Sequence, residues 1–353
     1  MENISLRSIK LESIKSIFRS ISSADSISRA TVSEGTGLSL MTVGKVADAL
    51  LTLRVITQLK ETKSSAGRRA GLLSVNPDNY AFILDLTSHR FTATVINMRL
   101  DVVEKYKYSY RPDASFADNL SIFLGECRIF LSRNFRLDKC IGCGVSVPGP
   151  YFEETDRVRC DTSDEWRDIA VGKMVRETLH PSLFCIDASY NAAAMSNISG
   201  IPDAREKMIL YWFIGDDGIC GTIVSRGEIV RGAHNAAGNF GQMIVARGVT
   251  LSEAIKPSAT MQANAFELAK AIHNVMHAVD PDRIILECEM YRNDPDEFVD
   301  MIRSTLSENF AHTSETVPEL TSSACKYRHS HRGLTIRLRE MWLTDLVLNG
   351  PTV

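Results

Sequence analysis

Cys140-Ile-Gly-Cys-Gly-Val-Ser-Val-Pro-Gly-Pro150 is the stretch that sets the fold class. Residues 140–147 are apolar or small throughout, as in a buried strand. Two prolines around a glycine then end it, because proline has no N–H to give to a ladder. Working outward, strand-like runs at 81–86, 91–96 and 101–108 precede a helical segment at 116–135. Downstream, helical spacing at 171–179 and 191–196 alternates with strands at 183–187, 208–214 and 218–225. A long helix at 263–279 leads into a strand at 283–288. Strands alternating with helices over this length predict an α/β protein of two lobes. Glycines gather at strand ends, where α/β folds place ligands.

Residues 1–75 read differently. Ile4, Ile9, Ile14, Ile17, Phe18 and Ile21 recur at helical spacing, predicting a helix over 5–22. Asp25 or Ser26 is the expected cap of a second helix ending near Glu34. Gly35-Thr-Gly37 is a tight turn, and Ser39 is a good N-cap for a third helix over 40–53. Val43, Val46, Ala47, Leu50 and Leu51 form its buried side. Met41, Thr42 and Lys45 are left outward beside Ser39, at the end that recognition helices present to base edges. Segments 55–60 and 72–75 predict a two-stranded wing with Lys60, Lys63, Arg68 and Arg69 near its tip, where cations neutralise phosphates. The ordered set predicts a winged helix-turn-helix that binds double-stranded DNA. Its outward face has few Arg, Asn or Gln, so direct reading of bases is modest. The plainer alternative is a three-helix bundle for protein contact with a solvated basic loop.

The net charge of -3 selects no partner, but its distribution is uneven. Residues 1–72 carry 11 Lys and Arg against 6 Asp and Glu, a basic head on an acidic body. No apolar run is long enough to span a membrane. Arg7, Lys10, Glu12 and Lys15 interrupt the first apolar residues, unlike a signal peptide, so a cytoplasmic location is expected. Cys127, Cys140, Cys185, Cys220 and Cys288 read as small buried hydrophobes. Cys140 and Cys143 have CxxC spacing, but strand alternation puts them on opposite faces, against a shared redox or metal role. His273 and His277 lie one turn apart on a helix with no third ligand nearby and read as a partly exposed face.

Several motifs together resemble the ROK family of repressors, open reading frames and sugar kinases. They are Ser65-Ala-Gly-Arg-Arg69 leading to Asn76-Pro77, Gly144-Val-Ser-Val-Pro-Gly-Pro150, Asn191-Ala-Ala-Ala194, and Arg231-Gly-Ala-His-Asn-Ala-Ala-Gly-Asn-Phe-Gly-Gln-Met243. The chain is similar above all to the repressor branch, which includes xylose and N-acetylglucosamine repressors. The resemblance implies an actin-like two-lobed ATPase (sugar kinase) fold behind the winged helix-turn-helix. The implied domains are 1–75 for DNA binding, 76–195 for the first lobe with a C-terminal helix at 334–353, and 196–333 for the second lobe.

Departures from the family pattern concentrate on the nucleotide side. Where family kinases have Asp-x-Gly-Gly-Thr, this chain has Asp85-Leu-Thr-Ser-His89, without the glycines that let backbone wrap a phosphate. Anchoring on Asn191 puts Ser189 at the catalytic aspartate, and a hydroxyl alone is no base. Asp187, two residues earlier on a strand end, is expected to share a face with position 189 and could replace it in part. Asp216 and Asp217 enter the second phosphate loop, where carboxylates repel a polyanion. Glu287-Cys-Glu289 stands where Gly-Gly usually lies. The zinc ligands of the family are replaced, with Gln242 at the histidine position, so no metal and no cofactor are expected.

Asn239 occupies the position of a sugar-gripping glutamate. With Gln242 it retains hydrogen-bonding capacity, and Ser146, Asp187, Ser189, Asn191 and His234 are expected to complete an effector ring. Trp166 reads as core. The expected function is a DNA-binding regulator, a repressor without enzymatic activity. Its partners are an operator, a sugar or sugar-phosphate effector and further copies of itself. The alternatives are an active sugar kinase fused to a DNA-binding domain, and a DNA-binding scaffold whose pocket is dead.

Overall fold

A computed structural model describes residues 11–59, 71–87, 90–160, 163–201, 203–215, 218–310, 317–323 and 330–349. The chain opens with α1 (Leu11–Ser22), α2 (Arg29–Thr36), α3 (Leu40–Thr52), β1 (Ile56–Leu59) and β2 (Leu72–Val75). Next come β3 (Tyr80–Thr87), β4 (Arg90–Asn97), β5 (Val102–Lys107), α4 (Phe116–Asn134), β6 (Cys140–Val147), β7 (Tyr151–Phe152) and β8 (Arg157–Val158). α5 (Val171–Leu179), β9 (Phe184–Ala188), α6 (Ser189–Ile198), β10 (Met208–Gly215), β11 (Gly218–Ser225) and β12 (Glu228–Val230) follow. The rest is β13 (Ile244–Ala246), β14 (Val249–Thr250), α7 (Leu251–Ala254), α8 (Met261–Val279), β15 (Arg283–Cys288), α9 (Pro295–Phe310), β16 (Glu319–Ser322) and α10 (Ser330–Leu348).

The described residues fall into two compact units. One lies within 1–145, 172–186 and 334–353, the other within 146–171 and 187–333. This differs from the division expected at 75/76 and 195/196. Residues 146–171 and 187–195 pack with the second unit, because the chain changes unit within β6 and within β9 rather than in a linker.

In the first unit, α1 buries Ile14, Ile17, Phe18 and Ile21, the stripe its spacing demands. α2 begins later than the sequence indicated. Its cap is Ser28, whose hydroxyl accepts the Thr31 N–H at 3.1 Å. Neither Asp25 nor Ser26 caps it, because the segment before it is extended: Ile27 exchanges two backbone bonds with Leu73, at 2.9 and 2.8 Å. Gly37, at φ 68, ends α2 in the left-handed conformation that a residue without Cβ adopts freely. Ser39 caps α3 through the Thr42 N–H at 3.1 Å. β1 and β2 pair antiparallel from Ile56 opposite Val75 to Leu59 opposite Leu72. The larger sheet has the order β5-β4-β3-β6-β9, with β3 and β4 a long antiparallel hairpin.

The second unit is built on a sheet of order β12-β11-β10-β15-β16. β10 and β11 are antiparallel, and the β10–β15 and β15–β16 pairs are parallel. α8 and α9 cover it with Leu268, Ile272, Ile302 and Leu306 against Leu210, Trp212 and Leu286. Full burial of each such side chain contributes about 1.5–3 kcal/mol. No helix among the described residues is long and apolar enough to cross a membrane.

α10 clamps α1 by charge. Arg19 grips Glu340 through two bonds, at 2.8 and 3.2 Å, and Lys15 lies 3.4 Å from the same carboxylate. The Arg339 guanidinium stands 5.5 Å over the Phe18 ring and donates to the Met98 carbonyl. Burial alone would raise the Glu340 pKa; the bonds and charges of Arg19 and Lys15 outweigh it and hold that pKa below the ordinary carboxylate value. A depressed folded pKa means that Glu340 stabilises fully above its unfolded pKa and loses that contribution as pH falls through the folded one. Glu340→Gln is therefore expected to cost about 1 kcal/mol at neutral pH. The gap between the two proteins should close as pH drops below about 4. Chemical denaturation at several pH values measures both; an equal gap at acid and neutral pH contradicts the ionic clamp.

Candidate functional site

β9 ends at Ala188 and α6 starts at Ser189, so Asp187 sits at the last turn of extended chain before a helix. The expectation that Asp187 and Ser189 share a strand face does not hold, because Ser189 is already helical. Both are buried. Asp187, 4% exposed, is the centre of a polar network. Its Oδ1 accepts the Ala188 N–H and the Asn191 Nδ2, each at 2.9 Å. Asn191 Oδ1 in turn accepts the Thr222 hydroxyl of β11 at 2.8 Å. The Arg231 guanidinium engages both carboxylate oxygens, Nη1 to Oδ1 at 3.0 Å and Nη2 to Oδ2 at 2.6 Å. This bidentate fork is the strong geometry for an arginine–carboxylate pair. The bonds to Asp187 push the Arg231 pKa higher still, while burial works against them.

Arg231 follows β12 and opens the loop that close packing holds on β11. A Cβ on Gly238, at φ 87, would come within 2.2 Å of the Gly221 carbonyl oxygen, so the loop and the strand touch backbone to backbone. Phe240 then stacks on Trp212 with ring centroids 4.2 Å apart. The cleft beside the ion pair is walled by Pro150, Tyr151, Tyr190 and Asn235 and holds about 10 Å³. That is the space of a single water. Burial raises the Tyr190 pKa, so its phenol stays protonated.

The expected effector residues divide. Asp187 and Asn191 are brought together in one network. Ser146 is fully buried and its hydroxyl has no hydrogen-bond partner among the described residues. His234, Asn239 and Gln242 lie at the exposed surface of the 231–243 loop. None is hydrogen-bonded to Asp187, Ser189 or Asn191 among the described residues. Arg231 was not among the expected site residues, although it opens the quoted motif. No local signal in the sequence points it at a carboxylate 44 positions away.

On the nucleotide side, Asp85 lies within β3 opposite Thr92, and the strand pairing continues to Thr87. Ser88, His89, Asp216 and Asp217 lie outside the described residues. Glu287 is buried and accepts the Tyr211 hydroxyl at 3.0 Å and the Ser323 hydroxyl at 2.7 Å. Trp166 is buried. Cys127, Cys185 and Cys288 are buried as expected, whereas Cys140 and Cys220 are half-buried. Burial raises the thiol pKa of Cys140 to about 11. Among the described residues no cluster of three His, Cys, Asp or Glu could hold a metal.

At the N-terminal end of α3, Leu40 and Met41 are 56% and 73% exposed, and Lys45 is exposed beside them. The hydroxyls of Ser39 and Thr42 bond each other at 2.9 Å within the cap. An Arg29–Asp48 pair at 2.6 Å ties α2 to α3. Lys60, Lys63, Arg68 and Arg69 lie outside the described residues.

No protein-family model matches the chain. It is similar to a putative xylose repressor of Caldicellulosiruptor sp. (strain Rt8B.4), 26% identical over 244 residues, 65% of this chain and 57% of the relative. It is also similar to the xylose repressor of Bacillus subtilis (strain 168), 22% identical over 242 residues, 67% of this chain and 61% of that one. The chain thus spans about three fifths of the length of these curated relatives. Among solved structures it resembles a ROK family transcriptional regulator described as a homolog of the E. coli MLC protein. There the TM-score is 0.68 at 16% identity, covering 91% of this chain and 93% of that one. A ROK hexokinase from Thermus thermophilus gives a TM-score of 0.57 at 16% identity, covering 75% of this chain and 99% of that one. The mixed α/β fold is therefore that of ROK regulators and sugar kinases.

The ion pair is asymmetric, since Asp187 is buried while the Arg231 side chain is 40% exposed. Arg231→Ala strands a carboxylate out of water and is expected to destabilise by about 2 kcal/mol. Asp187→Asn lets the freed arginine turn to solvent and should cost about half as much. The double variant should recover part of the Arg231→Ala loss. Urea unfolding of the three proteins reads the order; equal costs for the two single changes would contradict a buried, arginine-dependent carboxylate.

Proposed function

We propose that the chain is a sugar-responsive transcriptional repressor with an N-terminal winged helix-turn-helix and a kinase-like body that transfers no phosphate. One observation carries the regulatory half. The ROK regulator covers 91% of the chain and the ROK hexokinase 75%. The difference between the two coverages is about as long as the segment from α1 to β2. In that segment the N-terminal end of a capped helix offers Leu40, Met41 and Lys45 to solvent beside a two-stranded hairpin. That is how a helix enters a major groove. The named relatives are xylose repressors, which makes a pentose or similar sugar the first effector to try. Binding as a homodimer to a two-fold operator completes the reading.

The non-enzymatic half rests on Asp187. A sugar kinase needs a carboxylate free to take a hydroxyl proton. Here both oxygens are engaged by Arg231, and Ser189 supplies only a hydroxyl. A second reading, a scaffold that ignores sugars, is favoured by the cleft of about 10 Å³ whose polar floor is bonded to protein.

DNA fragments selected by the purified protein from its own genome should shift in a gel and be released by D-xylose or a related sugar. Lys45→Ala should weaken that binding about five- to tenfold and lower the slope of log K against log salt by about 1. Incubation with ATP and the same sugars should release no ADP above the protein-free rate. Sugar-dependent ADP release lost in Asp187→Ala would establish the kinase instead, and release of DNA by no sugar would favour the scaffold.

A further inference from the structure

We infer that Arg231 is a built-in competitor for the effector: its guanidinium occupies the place on Asp187 that two adjacent hydroxyls of a neutral sugar would take. The inference rests on the sugar-responsive reading and names how that pocket is gated and which ligands it accepts. Three observations converge. The carboxylate lies behind the Arg231 and Asn191 side chains that line the cleft, held by the Ala188 N–H and by Asn191. Its partner is a long side chain, 40% exposed, on a loop outside regular structure, so it can turn into solvent without unfolding anything. With Arg231 in place the cleft is too small for any sugar. A ligand therefore enters only as the guanidinium leaves, and must supply what it supplied: two parallel donors for two carboxylate oxygens.

Vicinal hydroxyls of a sugar ring can do this. A sugar acid or sugar phosphate is disfavoured, because it would put a negative charge where a cation stood beside a buried carboxylate. The site therefore takes neutral sugars in preference to sugar phosphates. Arg231 sets a threshold: the ligand must outcompete an intramolecular ion pair, which lowers its apparent affinity by the fraction of protein in the open state. Gly232, at φ 70, follows the arginine directly and lets the loop leave β12 sharply at that point.

The test compares full-length wild type with Arg231→Ala, Arg231→Gln and Arg231→Lys by titration calorimetry. The probes are D-xylose, D-glucose, D-glucuronate and glucose 6-phosphate. Removing the competitor should tighten binding of at least one neutral sugar tenfold or more in the Ala and Gln variants, with Lys between them and wild type. Glucuronate and glucose 6-phosphate should gain nothing. Added methylguanidinium, at matched ionic strength, should weaken sugar binding to Arg231→Ala and leave wild type unchanged. Unchanged or weaker sugar binding in both neutral variants overturns the inference, as does a gain confined to the anionic probes. If wild type binds sugar and the variants do not improve, the sensing function survives and only the competitor role falls. If neither wild type nor any variant binds a neutral sugar, both fall. Thermal melts identify a variant that does not fold, and the remaining two then decide.

Discussion

A carboxylate taken out of water has to be paired, and Asp187 imposes that demand on four separate pieces of chain. β9 delivers it together with the Ala188 N–H, α6 supplies Asn191, β11 holds Asn191 through Thr222, and the loop after β12 supplies Arg231. Ala188 and Asn191 are close to Asp187 in sequence, whereas Thr222 and Arg231 are not. Charge-assisted bonds of this kind are short and directional. They therefore fix the angle at which α6 leaves β9 and the distance of the 231–243 loop from β11. The apolar packing agrees with them: Phe240 on Trp212 and the bare backbone contact of Gly238 with Gly221 draw the same loop onto the same strand. Had the loop carried a side chain at 238, the guanidinium would stand farther from its carboxylate.

β9 also serves the first unit. The carbonyl of Ile186, the residue before Asp187, accepts Arg337 of α10 at 3.2 Å. The next turn of α10 carries Arg339 and Glu340, which hold α1 by a ring contact and by ion pairs. Within that unit the strand β9 and the first helix of the N-terminal segment are thus neighbours of one helix. Ion pairs that are a third exposed contribute little to stability individually. They do set geometry, since α1 can shift against α10 only by giving up two cations on one carboxylate.

Much of this architecture was legible in the sequence because it rests on local periodicity. Ile14, Ile17 and Ile21 on α1, Ser39 as the cap of α3, and the apolar run of β6 each declare their element within a few residues. The errors arose where a distant partner overrides local preference. Asp25 and Ser26 are good helix caps by type, yet Ile27 is drawn into pairing with Leu73, far along the chain, and α2 must wait for Ser28. The site was only half legible for the same reason. Asp187 and Asn191, one helical turn apart, could be paired from their spacing. Arg231 could not, because its contact depends on how β11, β12 and the loop fold back. Asn239 and Gln242, assigned to the site by motif position, are exposed.

Recognition and catalysis ask different things of the same carboxylate. A general base has to give up its interactions and accept a proton, whereas a binding group has only to accept hydrogen bonds while staying ionised. A guanidinium on both oxygens stabilises the ionised form and so favours the second task over the first. Elsewhere, β3 continues past Asp85 to Thr87, and the buried Glu287 accepts the Tyr211 and Ser323 hydroxyls. For a repressor this division has a use. A domain that phosphorylated its effector would consume its own signal, and the bound state would last only as long as one turnover. A carboxylate that trades an arginine for hydroxyl groups, and trades back when the sugar leaves, reports concentration reversibly, because occupancy then depends only on the difference in free energy between the two pairings.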